Sequence, residues 1–100
     1  MAGMSADRVA RVAARDVRIH GRVQGVFFRD SARREAVAHG VTGWVRNEPD
    51  GSVRAHLEGS SAAVDQVLTW CREGPSRGHV ERVDVSEAEV TGATSFDVRG

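Results

Sequence analysis

The feature that most constrains this chain is a change of period at residues 24–27. Between Asp16 and Val23 apolar and polar residues alternate, with Val17, Ile19, Gly21 and Val23 on one face and Arg18, His20 and Arg22 on the other. That is the pattern of a half-buried strand. The short segment Gln24-Gly25-Val26-Phe27 breaks the alternation. From Phe28 to His39 the period is helical, with Phe28, Ala32 and Ala36 at i, i+4 and i+8 and charges elsewhere. Gly40 follows where a helix C-terminus favours glycine.

The same reading continues along the chain. Val41–Asn47 forms a second strand, and Glu48-Pro49-Asp50-Gly51 a turn, because proline presets φ and glycine accepts a positive one. Ser52–Glu58 alternates again with Val53, Ala55 and Leu57 inward, so residues 41–58 make a hairpin. Gly59 closes that strand, and Ser60 or Ser61 caps a second helix in which Val64, Val67, Leu68 and Cys71 share one face. Gly74–Gly78 is a loop. Val80–Val90 reads as a fourth strand with a shift of register, because Val83 and Val85 differ in parity from Ala88 and Val90. Phe96–Arg99 is a short fifth strand.

The order predicts an α+β fold, a ferredoxin-like βαββαβ sandwich with a short fifth strand and two helices on one face of a mainly antiparallel sheet. A right-handed crossover makes the first two strands parallel, with another strand between them. Their C-terminal ends then lie at one edge of the sheet. The loop at residues 23–28 and the strand end near Asn47, about twenty residues apart in sequence, become neighbours.

Composition bounds the rest. One hundred residues, 40% of them hydrophobic, suffice for one domain with its own core and leave no room for a second. Residues 1–15 read as a disordered leader without a continuous apolar stretch, which disfavours a secretory signal and leaves a transit peptide as the weaker alternative. Residues 16–100 are the folded domain. No run approaches the ~18 apolar residues of a membrane span, so no membrane partner is expected. Cys71 is the single cysteine, which rules out an intrachain disulfide and points to the cytoplasm. All fourteen basic residues are arginine. Ten of them lie in residues 1–54 against six acids, so positive potential is concentrated where an anion would be drawn.

The loop after the first strand can aim several successive N–H groups at one point, next to the positive end of a helix dipole. Arg29 adds a planar fork suited to phosphate oxygens. Taken alone, this stretch is equally a strand-to-helix turn with a solvated arginine, and Asn47 is equally a turn residue bonding its own backbone. The parallel strands shift the balance by setting Asn47 beside the loop.

The segment Gly21-Arg22-Val23-Gln24-Gly25-Val26-Phe27-Phe28-Arg29 resembles the first signature of acylphosphatases, G-x-V-Q-G-V-x-F-R. The segment Gly43-Trp44-Val45-Arg46-Asn47-Glu48-Pro49-Asp50-Gly51-Ser52-Val53, with Gly59 five residues on, is similar to the second. Weaker likeness runs through Gly74-Pro75, Val80–Val85 and Phe96–Arg99, so the resemblance covers residues 16–99. It implies a hydrolase that splits the carboxyl–phosphate bond of acyl phosphates. It further implies that the backbone amides of Gln24, Gly25, Val26, Phe27, Phe28 and Arg29, with the Arg29 side chain, hold the phosphate, and that Asn47 orients the attacking water. A carboxamide suits that task because it donates and accepts without titrating. No metal, cofactor or covalent intermediate is implied. The expected partners are a small acyl phosphate and inorganic phosphate as product, with no nucleic acid, acting on a monomer.

Other residues fit ordinary roles. His20, His39, His56 and His79 lack metal-ligand spacing and are expected at the surface. Cys71 fits the core, Trp44 and Trp70 fit packing, and Asp30 fits the helix dipole. An RNA-binding sheet would need exposed stacking aromatics on the first and third strands, which are absent. An anion-binding module without turnover would have no need of Asn47.

Overall fold

The computed structural model describes residues 12–100. Seven elements follow in order: β1 (Ala13–Arg22), α1 (Phe28–Ala38), β2 (Thr42–Asn47), β3 (Val53–Gly59), α2 (Ser61–Glu73), β4 (His79–Glu87) and β5 (Phe96–Arg99). They form one five-stranded sheet in the order β4-β1-β3-β2-β5. All neighbours pair antiparallel except β2 and β5, which are parallel. β1 and β2 both run antiparallel to β3, which lies between them, and therefore run parallel to each other.

The core forms where both helices cover one face of this sheet. Val17 and Ile19 of β1, Val45 of β2, and Val53, Ala55 and Leu57 of β3 are buried there against Phe28, Ala32 and Ala36 of α1 and Val64, Val67, Leu68 and Cys71 of α2. Each large aliphatic side chain so placed contributes about 1.5–3 kcal/mol. Phe28 also packs against Trp70, with ring centroids 5.1 Å apart. Burial pushes the Cys71 thiol up to about 12, so the cysteine behaves as a small apolar core residue. Local signals act as read: Ser60 caps α2 by accepting from the Ala63 N–H at 3.2 Å.

Most element ends fall within a residue of the sequence reading, and the larger differences are three. β1 begins at Ala13, so Ala13–Arg15, assigned above to the leader, pair with Gly59, Glu58 and Leu57. Residues 1–11 lie outside the described residues. β4 ends at Glu87 rather than Val90, and its register shift falls between His20 and Gly21 of β1, at Glu81. The change of parity after Val85 marks the chain leaving the sheet, not a bulge within it.

The third difference concerns the sheet face away from the helices. His56, expected at the surface, is buried, as is Glu58 two residues on. Residues 88–95 return over this face, and the Thr91 N–H and hydroxyl and the Gly92 N–H donate to the Glu58 carboxylate. His56 bonds the same carboxylate at 2.5 Å and stacks on Trp44. Burial alone would raise the Glu58 pKa, but hydrogen bonds from Thr91, His56 and Gly92 outweigh it and hold the carboxyl at about 2. Trp44 in turn lies under the guanidinium groups of Arg46, Arg54 and Arg99.

Candidate active site

The register of the sheet brings the two motif segments together. Ile19 of β1 pairs with Val53 of β3, and Val53 pairs with Asn47 of β2, so Asn47 is level with Ile19 one strand away. β1 runs on for three residues past that level, and the chain then enters the loop to α1. A cleft of about 300 Å³ opens there, lined by Gly25, Phe27, Phe28, Arg29, Asp30, Asn47, Val23 and Val98.

The loop owes its shape to two left-handed residues. Gly25 has φ +74°, which glycine adopts freely. Phe27 has φ +63° and is the one non-glycine residue with positive φ among the described residues. For an aromatic residue this conformation costs on the order of 1–3 kcal/mol and persists only where the surroundings impose it. Phe27 is also the N-cap of α1, with no side-chain cap hydrogen bond.

The consequence is a run of free donors. Among the described residues, no backbone N–H from Gln24 to Asp30 donates to a protein acceptor. The first one that does belongs to Ser31, bonded to the Phe27 carbonyl at 3.0 Å. Helix N-termini always leave such groups, and here the loop before the helix extends the series. Backbone donors at the positive end of a helix attract an anion.

Arg29 adds a full charge. Its guanidinium donates to the backbone carbonyl of Arg99 at 3.0 Å and forms no ion pair with a carboxylate among the described residues. A neutral acceptor thus steers the group while leaving its charge, and most of its N–H donors, for a ligand. The Asn47 carboxamide lines the cleft and likewise makes no hydrogen bond to a protein group among the described residues. By contrast, Arg46 bonds Glu48 at 3.1 Å and Arg18 lies 3.7 Å from Asp50, so their charges are already neutralised.

Of the residues singled out from sequence, Gly25, Phe27, Phe28, Arg29 and Asn47 meet in this cleft. Gln24 and Val26 lie in the same loop but line other space. Val26 is buried in the core. The Gln24 side chain turns to the β2–β3 turn, where Nε2 donates to the carbonyls of Glu48 at 2.7 Å and Ser52 at 2.9 Å. Two cleft residues escaped the sequence reading of the site. Val98 comes from β5, which joins the sheet beside β2 by long-range pairing that no local pattern encodes. Asp30, read only as a dipole partner, also stands at the rim.

Comparison with known proteins follows the same residues. A family model described as Acylphosphatase matches residues 15–98. A protein of Nocardioides sp. named acylphosphatase is 52% identical over 99 residues, 99% of this chain and 100% of its own length. The structure of an acylphosphatase from Coxiella burnetii superposes with a TM-score of 0.85 at 35% identity, covering 88% of this chain and 93% of that one. The crystal structure of acylphosphatase from Bacillus subtilis gives a TM-score of 0.86 at 28% identity over 90% of this chain and 100% of that one.

Proposed function

This chain belongs to the acylphosphatase family, hydrolases that split acyl phosphates into carboxylate and phosphate, and we propose how its cleft performs that reaction. The phosphoryl oxygens rest on the backbone amides of Gln24, Gly25, Val26, Phe27, Phe28 and Arg29 and on the free edge of the Arg29 guanidinium. Asn47 holds a water in line with the scissile bond, opposite the acyl oxygen. The observation that carries this reading is the unbroken run of unpaired N–H groups beside an uncompensated arginine.

The chemistry needs little else. The water oxygen bonds to phosphorus as the bond from phosphorus to the acyl oxygen breaks, and the carboxylate departs with that electron pair. A carboxylate leaves readily, so no strong acid is required to expel it. The phosphoryl oxygens of the substrate take the water's proton. Catalysis is then positioning plus electrostatic stabilisation, which fixed amides and a guanidinium supply without reorganising. Because Arg29 and the amides bring the positive potential, the reaction runs without a metal ion or other cofactor. We place the enzyme in the cytoplasm as a monomer that takes a small acyl phosphate and no nucleic acid. Its lone cysteine, free and buried, suits a reducing compartment. No helix among the described residues is long and apolar enough to cross a membrane.

Benzoyl phosphate hydrolysis, measured with a chelator present and beside Asn47→Ala, tests the reading. Turnover by the wild type, loss in the variant and competitive inhibition by inorganic phosphate are expected. Equal rates for the two proteins would overturn the role of Asn47.

A further inference from the structure

A phosphoryl group and one water account for only the polar part of the cleft. Its volume of about 300 Å³ would hold roughly ten waters, more than those two occupants fill. The rest of the lining is apolar. Val23 and Phe28 are closed off in the core, but Phe27 is 66% exposed and Val98 39% exposed. They come from elements that flank the cleft, the loop after β1 and the β5 strand beyond β2. Neither side chain has a part in holding phosphate. The Phe27 ring is thus mostly open to water, on a residue whose backbone is left-handed, and it stands outside the buried core.

We propose that Phe27 and Val98 form the subsite for the acyl group, and that the enzyme therefore favours acyl phosphates with aromatic or branched, uncharged acyl chains over acetyl phosphate. The inference rests on the reading that the phosphoryl group sits on the loop amides. With that group fixed there and the water held by Asn47 on the far side of phosphorus, the departing carboxylate and its substituent point out of the cleft past its exposed walls. An apolar substituent covering part of the Phe27 ring and the Val98 methyls removes all three from water. Asp30, on the rim beside them, disfavours a substituent carrying its own carboxylate.

The test is a ratio of ratios. The kcat/KM values for benzoyl and acetyl phosphate are measured for wild type, Phe27→Ala, Phe27→Leu and Val98→Thr, so the intrinsic reactivity of each substrate cancels. The benzoyl-over-acetyl preference should fall about tenfold in Phe27→Ala, fall less in Val98→Thr, and largely survive in Phe27→Leu. An unchanged preference in Phe27→Ala and Val98→Thr overturns the subsite. Failure of the wild type to hydrolyse either substrate overturns the underlying reading instead, and the subsite with it. If the variants do not fold, the wild type alone decides. Benzylphosphonate should inhibit about tenfold more tightly than methylphosphonate, and equal inhibition overturns the proposal.

Discussion

The side-chain amide of Gln24 donates to the Glu48 carbonyl at 2.7 Å, and the same nitrogen reaches the Ser52 carbonyl at 2.9 Å. One carboxamide thus ties the loop after β1 to the turn that follows Asn47. The two segments that line the cleft are joined by this bridge as well as by the sheet.

Replacing Gln24 should therefore disturb geometry more than stability. Glu48 O also accepts from the Gly51 N–H and Ser52 O from the Glu48 N–H, so neither carbonyl is orphaned. Gln24→Ala should cost about 1 kcal/mol in urea denaturation while lowering kcat roughly 10- to 100-fold, the scale of a misplacement near 1 Å. Gln24→Glu, which turns a carboxylate oxygen toward two carbonyls, should lose more on both measures than the alanine variant.

For Arg29 the fork is distinguishable from the charge. Arg29→Ala should lose on the order of 100- to 1000-fold in kcat, as does removal of a preorganised donor in other enzymes. Arg29→Lys keeps the charge but cannot bond both the Arg99 carbonyl and a phosphoryl oxygen in one plane. It should recover affinity for phosphate without recovering kcat. Full restoration of turnover by lysine would show that charge alone suffices.

Acid stability should depend on Glu58. Its carboxyl is held at about 2 in the fold against an ordinary 4.5. The unfolded chain consequently binds the proton more readily between those values, and stability rises with pH across the window. The contribution is complete above about pH 5 and disappears as pH falls toward 2. Urea midpoints of wild type and Glu58→Gln, compared at pH 7 and pH 3, should differ most at pH 7. A gap that widens on acidification would contradict the hydrogen-bonded anion.

Gly43→Ala should unfold the hairpin. A Cβ at that position would overlap the carbonyl of His56 on β3, and the residue has φ +135°. Overpacking and the unfavourable φ together should cost about 2–5 kcal/mol, read as a lower melting temperature with activity lost in proportion to folding.

The strand, loop and helix start that line the cleft were legible because these parts are local. A period-2 strand, a glycine and a helix start stand within about a dozen residues, and only the position of Asn47 required topology. His56 was misjudged because alternation tells which face a side chain occupies but not what covers that face. His56 is held between Trp44 and Glu58, and Glu58 in turn is bonded to residues more than thirty positions away. Val98 was missed for a similar reason, since a four-residue strand carries too short a pattern to announce its partner.

The shortest strand holds the arginine of the proposed site. β5 is four residues long, lies at a sheet edge and exposes all but Phe96, yet its Arg99 carbonyl steers Arg29 and its Phe96 carbonyl accepts from Arg33. Short edge strands open at a free energy below that of global unfolding. On the proposed role of Arg29, catalytic competence and thermal stability are two separate equilibria in this molecule. On warming, inactivation should follow the hydrogen exchange of Val98 and Arg99 and precede the melting of the β1–β3 core.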